Sequence, residues 1–62
     1  MRVYFSVYLK DRETGGYLRL CPLVETNDIE QTKIDLMLEH SDPDWECVRV
    51  RFDSIEIFTD RE

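Results

Sequence analysis

The sequence has few of the residues from which catalytic and metal sites are built. It contains one histidine and two cysteines, and its two glycines, Gly15 and Gly16, are adjacent instead of spaced along a phosphate-binding loop. No serine or cysteine stands in a context that would activate it, so the sequence offers no pairing of a nucleophile with a base. These features predict a protein that is not an enzyme and uses no cofactor.

Two cysteines, Cys21 and Cys47, are too few for the disulfide framework of a small secreted domain. No apolar run approaches the ~20 residues of a membrane span, and the first ten residues lack the features of a signal peptide. We therefore expect reduced thiols, a cytoplasmic location and no membrane partner.

The length of 62 residues predicts one small domain over residues 1–62. A chain of this size buries only about 60% of the surface that its unfolded state exposes. The stability that remains is too small to support a deep catalytic cleft, which again argues against an enzyme.

Alternating apolar residues predict three strands. The first covers residues 3–9, and a charged run with two glycines at residues 11–16 predicts a hairpin loop after it. The second strand covers residues 17–21 and must end, or lie at a sheet edge, at Pro22 because proline cannot donate to a ladder. The third strand covers residues 45–52.

The alternation of apolar residues in the third strand is interrupted at the end of the strand. Ile55 and Ile57 are out of step by one residue with the apolar residues of the strand. Either a bulge at Asp53 and Ser54 restores the phase, or these two residues turn the chain into a short fourth strand. We expect residues 58–62 to fray.

Residues 27–40 form the one helix that the sequence predicts. Thr26 or Asn27 can serve as its N-cap, with Glu30 in the capping-box position after Asn27. The helix must stop before Pro43, and His40 near its end suits the negative end of the helix dipole. Three residues are expected to form its buried side: Ile29, Leu36 and Met37.

These elements assemble most simply as a two-layer α+β fold in the order β-β-α-β, with an antiparallel sheet of strand order 2-1-3 packed on one helix. The apolar residues of the three strands then face the buried side of the helix. The strand residues expected in this core are Val3, Phe5, Val7, Leu9, Leu18, Leu20, Val48, Val50 and Phe52.

The helix leaves the other face of the sheet uncovered. Arginine, tyrosine and tryptophan dominate binding energy at protein interfaces, so this face is a candidate for partner binding. The other interpretation is that cross-strand pairs merely stabilise the open face of a small sheet. Cys21 and Cys47 would lie there on non-adjacent strands, so we expect no disulfide. The candidate binding residues are Tyr4, Tyr8, Tyr17, Arg19, Trp45, Arg49 and Arg51.

The charge of the chain is unevenly distributed. Residues 25–46 carry eight acids and one lysine, a net charge of −7 within a total of −6. Net acidity disfavours direct binding of nucleic acid, whereas an acidic helix could imitate DNA phosphates, although such runs are more often solvated faces. The candidate acidic surface consists of Asp28, Glu30, Asp35, Glu39 and Asp42.

Four possible metal ligands, His40, Asp42, Asp44 and Glu46, cluster after the helix. Their spacing lacks the central glycine and the distal glutamate of a calcium loop, and Pro43 stiffens it. We expect no metal site.

Two motifs resemble a known family. Residues 45–51, WECVRVR, resemble the strand after the helix in the small bacteriophage inhibitors of bacterial RNA polymerase, where an aromatic residue, a glutamate, two variable residues and R-V-R stand in the same order. Residues 22–26, PLVET, resemble that family's P-I-Y-x-E-T stretch with one residue removed. The resemblance covers about half of the chain.

The resemblance implies a non-enzymatic protein that docks on the jaw of the largest polymerase subunit and blocks transcription. Arg49 and Arg51 match the paired arginines of the family, which would meet acidic residues of the partner. The chain departs from the family in two ways: it lacks an N-terminal extension, and it continues through residues 52–62 where the family turns away at a proline. That continuation could pair with the third strand and partly cover the arginines.

The sequence thus leaves two functional hypotheses. The first is a protein-binding module, encoded by a phage or mobile element, that inhibits a host nucleic-acid machine in the host cytoplasm, with bacterial RNA polymerase as the best guess. The second is an acidic DNA mimic that inhibits a restriction, CRISPR or other DNA-binding enzyme. Either is compatible with a monomer or with a homodimer paired through a sheet edge.

Overall fold

The fold is a four-stranded antiparallel sheet packed on one helix, in a computed structural model that describes residues 1–56. This confirms the predicted α+β architecture. The elements along the chain are β1 (Arg2–Asp11), β2 (Tyr17–Leu20), β3 (Leu23–Glu25), α1 (Ile29–Glu39) and β4 (Trp45–Ile55). β1 is central: it pairs with β2 and β3 along one edge and with β4 along the other. The predicted third strand is therefore β4, next to β1 as expected.

The short strand β3 is the one element that the sequence did not predict. Pro22 lacks an N–H group, so the edge strand beside β1 is interrupted and resumes at Leu23 as a separate strand. The carbonyl of Pro22 still accepts a hydrogen bond from the Phe5 N–H at 3.1 Å. The prediction that the second strand ends at this proline or lies at the edge is confirmed.

The turn between β1 and β2 is held by its own side chains. The carboxylate of Asp11 accepts hydrogen bonds from the backbone N–H groups of Glu13 and Thr14, at 2.8 and 3.1 Å. Gly15 has a φ of 80°, a conformation that residues with a Cβ rarely adopt. The predicted hairpin loop at residues 11–16 is therefore present, and it fixes the register of β2 on β1.

Two bulges in β4 decide which of its side chains face the helix. Leu9 pairs with Cys47 while Tyr8 pairs with Arg49, so Val48 is an extra residue, and a second register shift makes Asp53 extra. The second bulge settles the alternative left open by the sequence: β4 continues to Ile55 without a separate strand over the described residues. Ile57 and the predicted fraying at 58–62 lie outside them.

The first bulge overturns the predicted placement of two residues. Cys47 is 8% exposed and lies in the core, not on the open face, whereas Val48 is 43% exposed and is not a core residue. The observed core consists of Val3, Phe5, Val7, Leu9, Leu36, Cys47 and Val50.

The helix covers only part of its side of the sheet, because it packs mainly on β4 and touches β1 little. Leu18, at the far edge on β2, is exposed for this reason, and Phe52 and Met37 are also exposed. Their predicted core positions are wrong, although Phe52 keeps an edge-to-face contact with Phe5 at a centroid distance of 6.5 Å.

The helix begins one residue later than a cap at Asn27 would place it, and two residues later than a cap at Thr26 would. Asp28 is the N-cap, and its carboxylate accepts a hydrogen bond from the Gln31 N–H at 3.1 Å. The predicted caps have other partners: Thr26 Oγ1 accepts from the Asp28 N–H, and Asn27 Oδ1 accepts from the N-terminal ammonium group. His40 forms the C-cap, and its backbone N–H donates to the Leu36 carbonyl.

Within residues 1–56, no helix combines the length and the apolar character that a membrane crossing requires.

Replacing Asp28 tests its assignment as the N-cap of α1. The Asp28→Ala variant should lose about 1 kcal/mol of unfolding free energy, because an N–H group of the first helical turn loses its acceptor. Denaturant unfolding followed by circular dichroism measures the loss. Asn27→Ala is the matched control and should lose clearly less. Equal losses in the two variants would contradict the assignment of Asp28 as the cap.

The reactivity of the two thiols tests the first bulge. Cys21 is exposed and Cys47 is buried, and burial raises the pKa of the Cys47 thiol, which lowers its thiolate fraction. A thiol reagent should therefore modify Cys21 rapidly in the native protein and Cys47 only as fast as the chain opens. Mass mapping of the modified peptides over time gives the answer. Similar rates at both sites would place Cys47 on the open face after all.

Candidate functional site: the arginine–tyrosine face

The open face of the sheet carries a cluster of basic and aromatic side chains, here named the arginine–tyrosine face. Antiparallel pairing brings Tyr8 of β1 opposite Arg19 of β2 and opposite Arg49 of β4. Because side chains opposite one another in a sheet point to the same face, three strands contribute to one surface. The face comprises Tyr4, Tyr8, Tyr17, Arg19, Arg49 and Arg51.

Tyr8 is the centre of this face. The guanidinium carbons of Arg49 and Arg51 each lie 5.8 Å from the centroid of its ring. Contacts of this kind are worth about 0.5–1 kcal/mol at exposed sites, and they limit the freedom of the long arginine side chains. At the neighbouring position Lys10 lies 5.9 Å from the ring of Tyr17. Cations and rings therefore alternate across the face.

Arg51 is already engaged within the chain. Its Nε donates to Asp53 Oδ1 at 2.8 Å, and its Nη2 lies 3.5 Å from the hydroxyl of Ser6. Ser6 is fully buried and donates its hydroxyl proton to the other carboxylate oxygen of Asp53. The hydrogen bond from Ser6 and then that from Arg51 lower the pKa of Asp53, so this carboxylate stays ionised and neutralises Arg51.

Unlike Arg51, Arg49 and Arg19 form no ion pair of 4.0 Å or less with a carboxylate among residues 1–56. The guanidinium of Arg19 donates instead to the sulfur of Cys21, at 3.2 and 3.3 Å. Two guanidinium groups on either side of Tyr8 thus remain available to carboxylate or phosphate groups of a ligand.

Of the candidate binding residues that the sequence placed on this face, Arg19, Arg49 and Arg51 lie beside Tyr8 on the neighbouring strands. Trp45 does not belong to the face: it packs against the core, because it pairs with Asp11 at a register position on the helix side of β1. Tyr4 lies on the face but at its end. Its hydroxyl is 3.4 Å from Glu56, which also pairs with Arg2.

Ser6 and Asp53 are the functional residues that sequence reasoning missed. The signal for Ser6 was present, because it is a small hydroxyl residue between two tyrosines of the same strand face. Asp53 gave no comparable signal, since its place on the face depends on the second bulge of β4.

Most residues of the candidate acidic surface have contacts of their own within the helix or the following loop. Asp28 caps the helix, Asp42 accepts hydrogen bonds from the N–H groups of Asp44 and Trp45, and Glu30 lies 3.9 Å from Lys33. Asp35 and Glu39 are exposed on the helix, and Asp35 Oδ1 accepts a hydrogen bond from Gln31 Nε2 at 3.0 Å. Four of the five predicted acids thus have a local partner in the helix or the following loop.

The described residues contain no group of three or more side chains that could hold a metal ion. An open depression beside the hairpin loop is lined by charged residues together with Pro43 and Trp45. It contains neither a histidine nor a thiol nor a hydroxyl group, so it offers no nucleophile–base pair.

The acid dependence of stability tests the Asp53 contacts. Because the pKa of Asp53 is lowered on folding, its contribution is complete above the unfolded value of about 3.9 and is lost as the pH falls through the lower folded value. Asp53→Asn should therefore be less stable than the parent protein at neutral pH, and the difference should shrink below about pH 4. Unfolding midpoints measured across acidic and neutral pH give both curves, with Glu39→Gln as the control for loss of an acid elsewhere. If the difference in stability between Asp53→Asn and the parent protein did not change with pH, the contacts of Asp53 with Ser6 and Arg51 would be refuted.

Comparisons of the chain with protein-family models, with curated proteins and with solved structures found no match.

Proposed function

We propose that this chain is a small non-enzymatic protein that binds an acidic surface of a partner protein through its arginine–tyrosine face and inhibits a host nucleic-acid machine. The observation that carries the proposal is the pair of guanidinium groups, Arg19 and Arg49, that flank Tyr8 without a carboxylate partner within residues 1–56. Bacterial RNA polymerase is the first candidate partner, on the basis of the resemblance at residues 22–26 and 45–51.

The charge layout favours a protein partner over nucleic acid. The net charge of −6 repels a phosphate backbone at long range, while the arginines provide a local basic patch on one face. Such a dipolar body orients its basic face toward an acidic protein patch, and its acidic helix points away from that patch. The rings add apolar contact area between the cations.

The contacts of Arg49 and Arg51 give these two arginines different roles in binding. Arg49 forms no ion pair with a carboxylate of residues 1–56, whereas a partner carboxylate reaches Arg51 only by competing with Asp53. Arg49 is therefore the anchor of the proposed interface, and Arg51 helps to position the ring of Tyr8, from whose centroid it lies 5.8 Å. Of the two arginines matched to the polymerase inhibitors, Arg49 should matter more.

The DNA-mimic alternative is supported less well by the local contacts. A phosphate-like array needs several carboxylates with a free, regular presentation, but Asp28, Asp42 and Glu30 have partners in and around the helix. Asp35 also accepts a hydrogen bond from Gln31, and Glu39 by itself cannot represent a row of phosphates.

Binding to purified bacterial RNA polymerase tests the proposal. Arg49→Glu should weaken binding at least about tenfold, because one charge pair becomes repulsive at the centre of the interface. Arg51→Glu should weaken it less. Lys33→Glu is the matched control, since it makes the same charge change on the helix and should leave affinity unchanged. Biolayer interferometry measures affinity, and a transcription assay measures inhibition in parallel.

Each outcome of this experiment tests a different part of the proposal. If the parent chain does not bind the polymerase, this partner is wrong. If it binds and Arg49→Glu binds equally well with its fold intact, the arginine–tyrosine face is not the interface. If Asp35→Asn with Glu39→Gln abolishes inhibition while Arg49→Glu does not, the acidic surface is the functional one.

A further inference from the structure

Both carboxylate oxygens of Asp53 are bound by side chains on the open side of the sheet. Arg51 Nε donates to Oδ1 at 2.8 Å, and the hydroxyl of Ser6 donates to Oδ2. The same hydroxyl accepts a hydrogen bond from Arg51 Nη2 at 3.5 Å. A guanidinium group and a hydroxyl group that contact each other therefore converge on one carboxylate.

The two donors are fixed by the fold. Ser6 lies on the central strand β1 directly opposite Arg51 on β4, and it is fully buried. A buried hydroxyl that loses its acceptor costs free energy, because no water replaces the lost hydrogen bond. The fold therefore requires an acceptor beside Ser6, whichever group supplies it.

Asp53, by contrast, is not held in the pairing of the sheet. It is the extra residue of the second bulge, since Phe52 pairs with Phe5 and Ser54 pairs with Tyr4. Its side chain is 24% exposed and borders on solvent. The carboxylate can therefore turn outward without a change in the pairing of β4 with β1. The donors are fixed, but the acceptor can be exchanged.

The electrostatics around Asp53 favour any carboxylate at this point. The hydrogen bonds from Ser6 and Arg51 lower the pKa of Asp53 most, and the charges of Arg51 and Arg19 lower it further. Arg19 forms no ion pair with a carboxylate among residues 1–56, so its charge remains to attract an anion that approaches from outside.

We propose that Arg51 and Ser6 form a carboxylate-binding subsite, which Asp53 fills in the free chain and an aspartate or glutamate of the partner protein fills in the complex. The second half of this inference rests on the proposed function. The partner carboxylate takes the hydrogen bonds of both donors, while Asp53 turns into solvent and is hydrated there. Ser6 keeps an acceptor throughout the exchange.

This exchange makes the arginine–tyrosine face selective. One carboxylate replaces another at Arg51, so the exchange alone gains little free energy and a single carboxylate in solution does not displace Asp53. A partner succeeds only if further acids engage Arg49 and Arg19 at the same time. Asp53 thus discriminates against isolated acids and in favour of an extended acidic patch.

Rescue by acetate tests the subsite. Asp53→Ala removes the internal carboxylate and leaves both donors for a small one. Sodium acetate should raise the unfolding temperature of Asp53→Ala by more than it raises that of the parent protein, because a ligand that binds only the folded state stabilises it. Sodium chloride at the same ionic strength is the reference, and the parent protein measures the general effect of acetate on stability. Thermal unfolding followed by circular dichroism gives the shifts.

The double variant Ser6→Ala with Asp53→Ala is the matched control, because it lacks one of the two donors. It should gain clearly less from acetate than Asp53→Ala does. If Asp53→Ala gains no more than the parent protein or the double variant, the subsite is overturned. Asp53→Ser takes the place of Asp53→Ala in the same comparison if the alanine variant does not fold.

Binding to purified bacterial RNA polymerase tests the exchange. Asp53→Ala should bind at least about tenfold more tightly than the parent chain, because the partner carboxylate then displaces no competitor. Glu46→Gln removes an acid opposite Lys10 on the same face, so it is the charge-matched control and should change the affinity clearly less. A folded Asp53→Ala variant that binds no more tightly than Glu46→Gln would overturn the exchange, since Asp53 would then have only a structural role.

The two experiments separate this inference from the proposed function. If the parent chain does not bind the polymerase, that partner is wrong, and the acetate comparison still decides whether Arg51 and Ser6 accept a carboxylate. If the parent chain binds and Arg49→Glu weakens binding, but acetate gives Asp53→Ala no additional stability, the proposed function stands and the subsite is overturned.

Discussion

The structure depends on the pairing of β1 along both of its edges. Among residues 1–56, this strand supplies four of the seven buried apolar residues, Val3, Phe5, Val7 and Leu9, and it alone pairs with all three other strands of the sheet. In a chain that can bury only a small core, a strand hydrogen-bonded on both sides also satisfies the most backbone groups per residue. The other strands take their register from it.

The two faces of β1 have opposite uses. Its apolar side chains close the core against the helix, while Tyr4, Ser6 and Tyr8 form the middle row of the open face. The burial of Ser6 shows that this second face is also organised, because the hydroxyl is covered by Arg51 and Asp53 instead of by water. A polar network of this kind holds these side chains in defined positions.

The two edges of the sheet also differ. The edge formed by β2 and β3 is short and broken by Pro22, whereas β4 runs without interruption from Trp45 to Ile55. The helix exposes acidic residues, such as Asp35 and Glu39, together with apolar residues, such as Ile34 and Leu38. The fold therefore carries a basic face on one side of the sheet and a mixed acidic and apolar helix surface on the other.

Period-two alternation and turn residues determined the architecture from the sequence alone, since local patterns specify β1, the hairpin loop, the helix and the interruption at Pro22. The same patterns placed Tyr8, Arg19, Arg49 and Arg51 on one face correctly. Tertiary structure decided the positions of Cys47, Val48, Trp45 and Asp53, because each bulge changes the phase between the residues on its two sides and depends on pairing with β1. It also decided which apolar residues are buried. Sequence periodicity places Met37, Phe52 and Leu18 on the core side, but the helix does not cover all of that side of the sheet, and these residues are exposed.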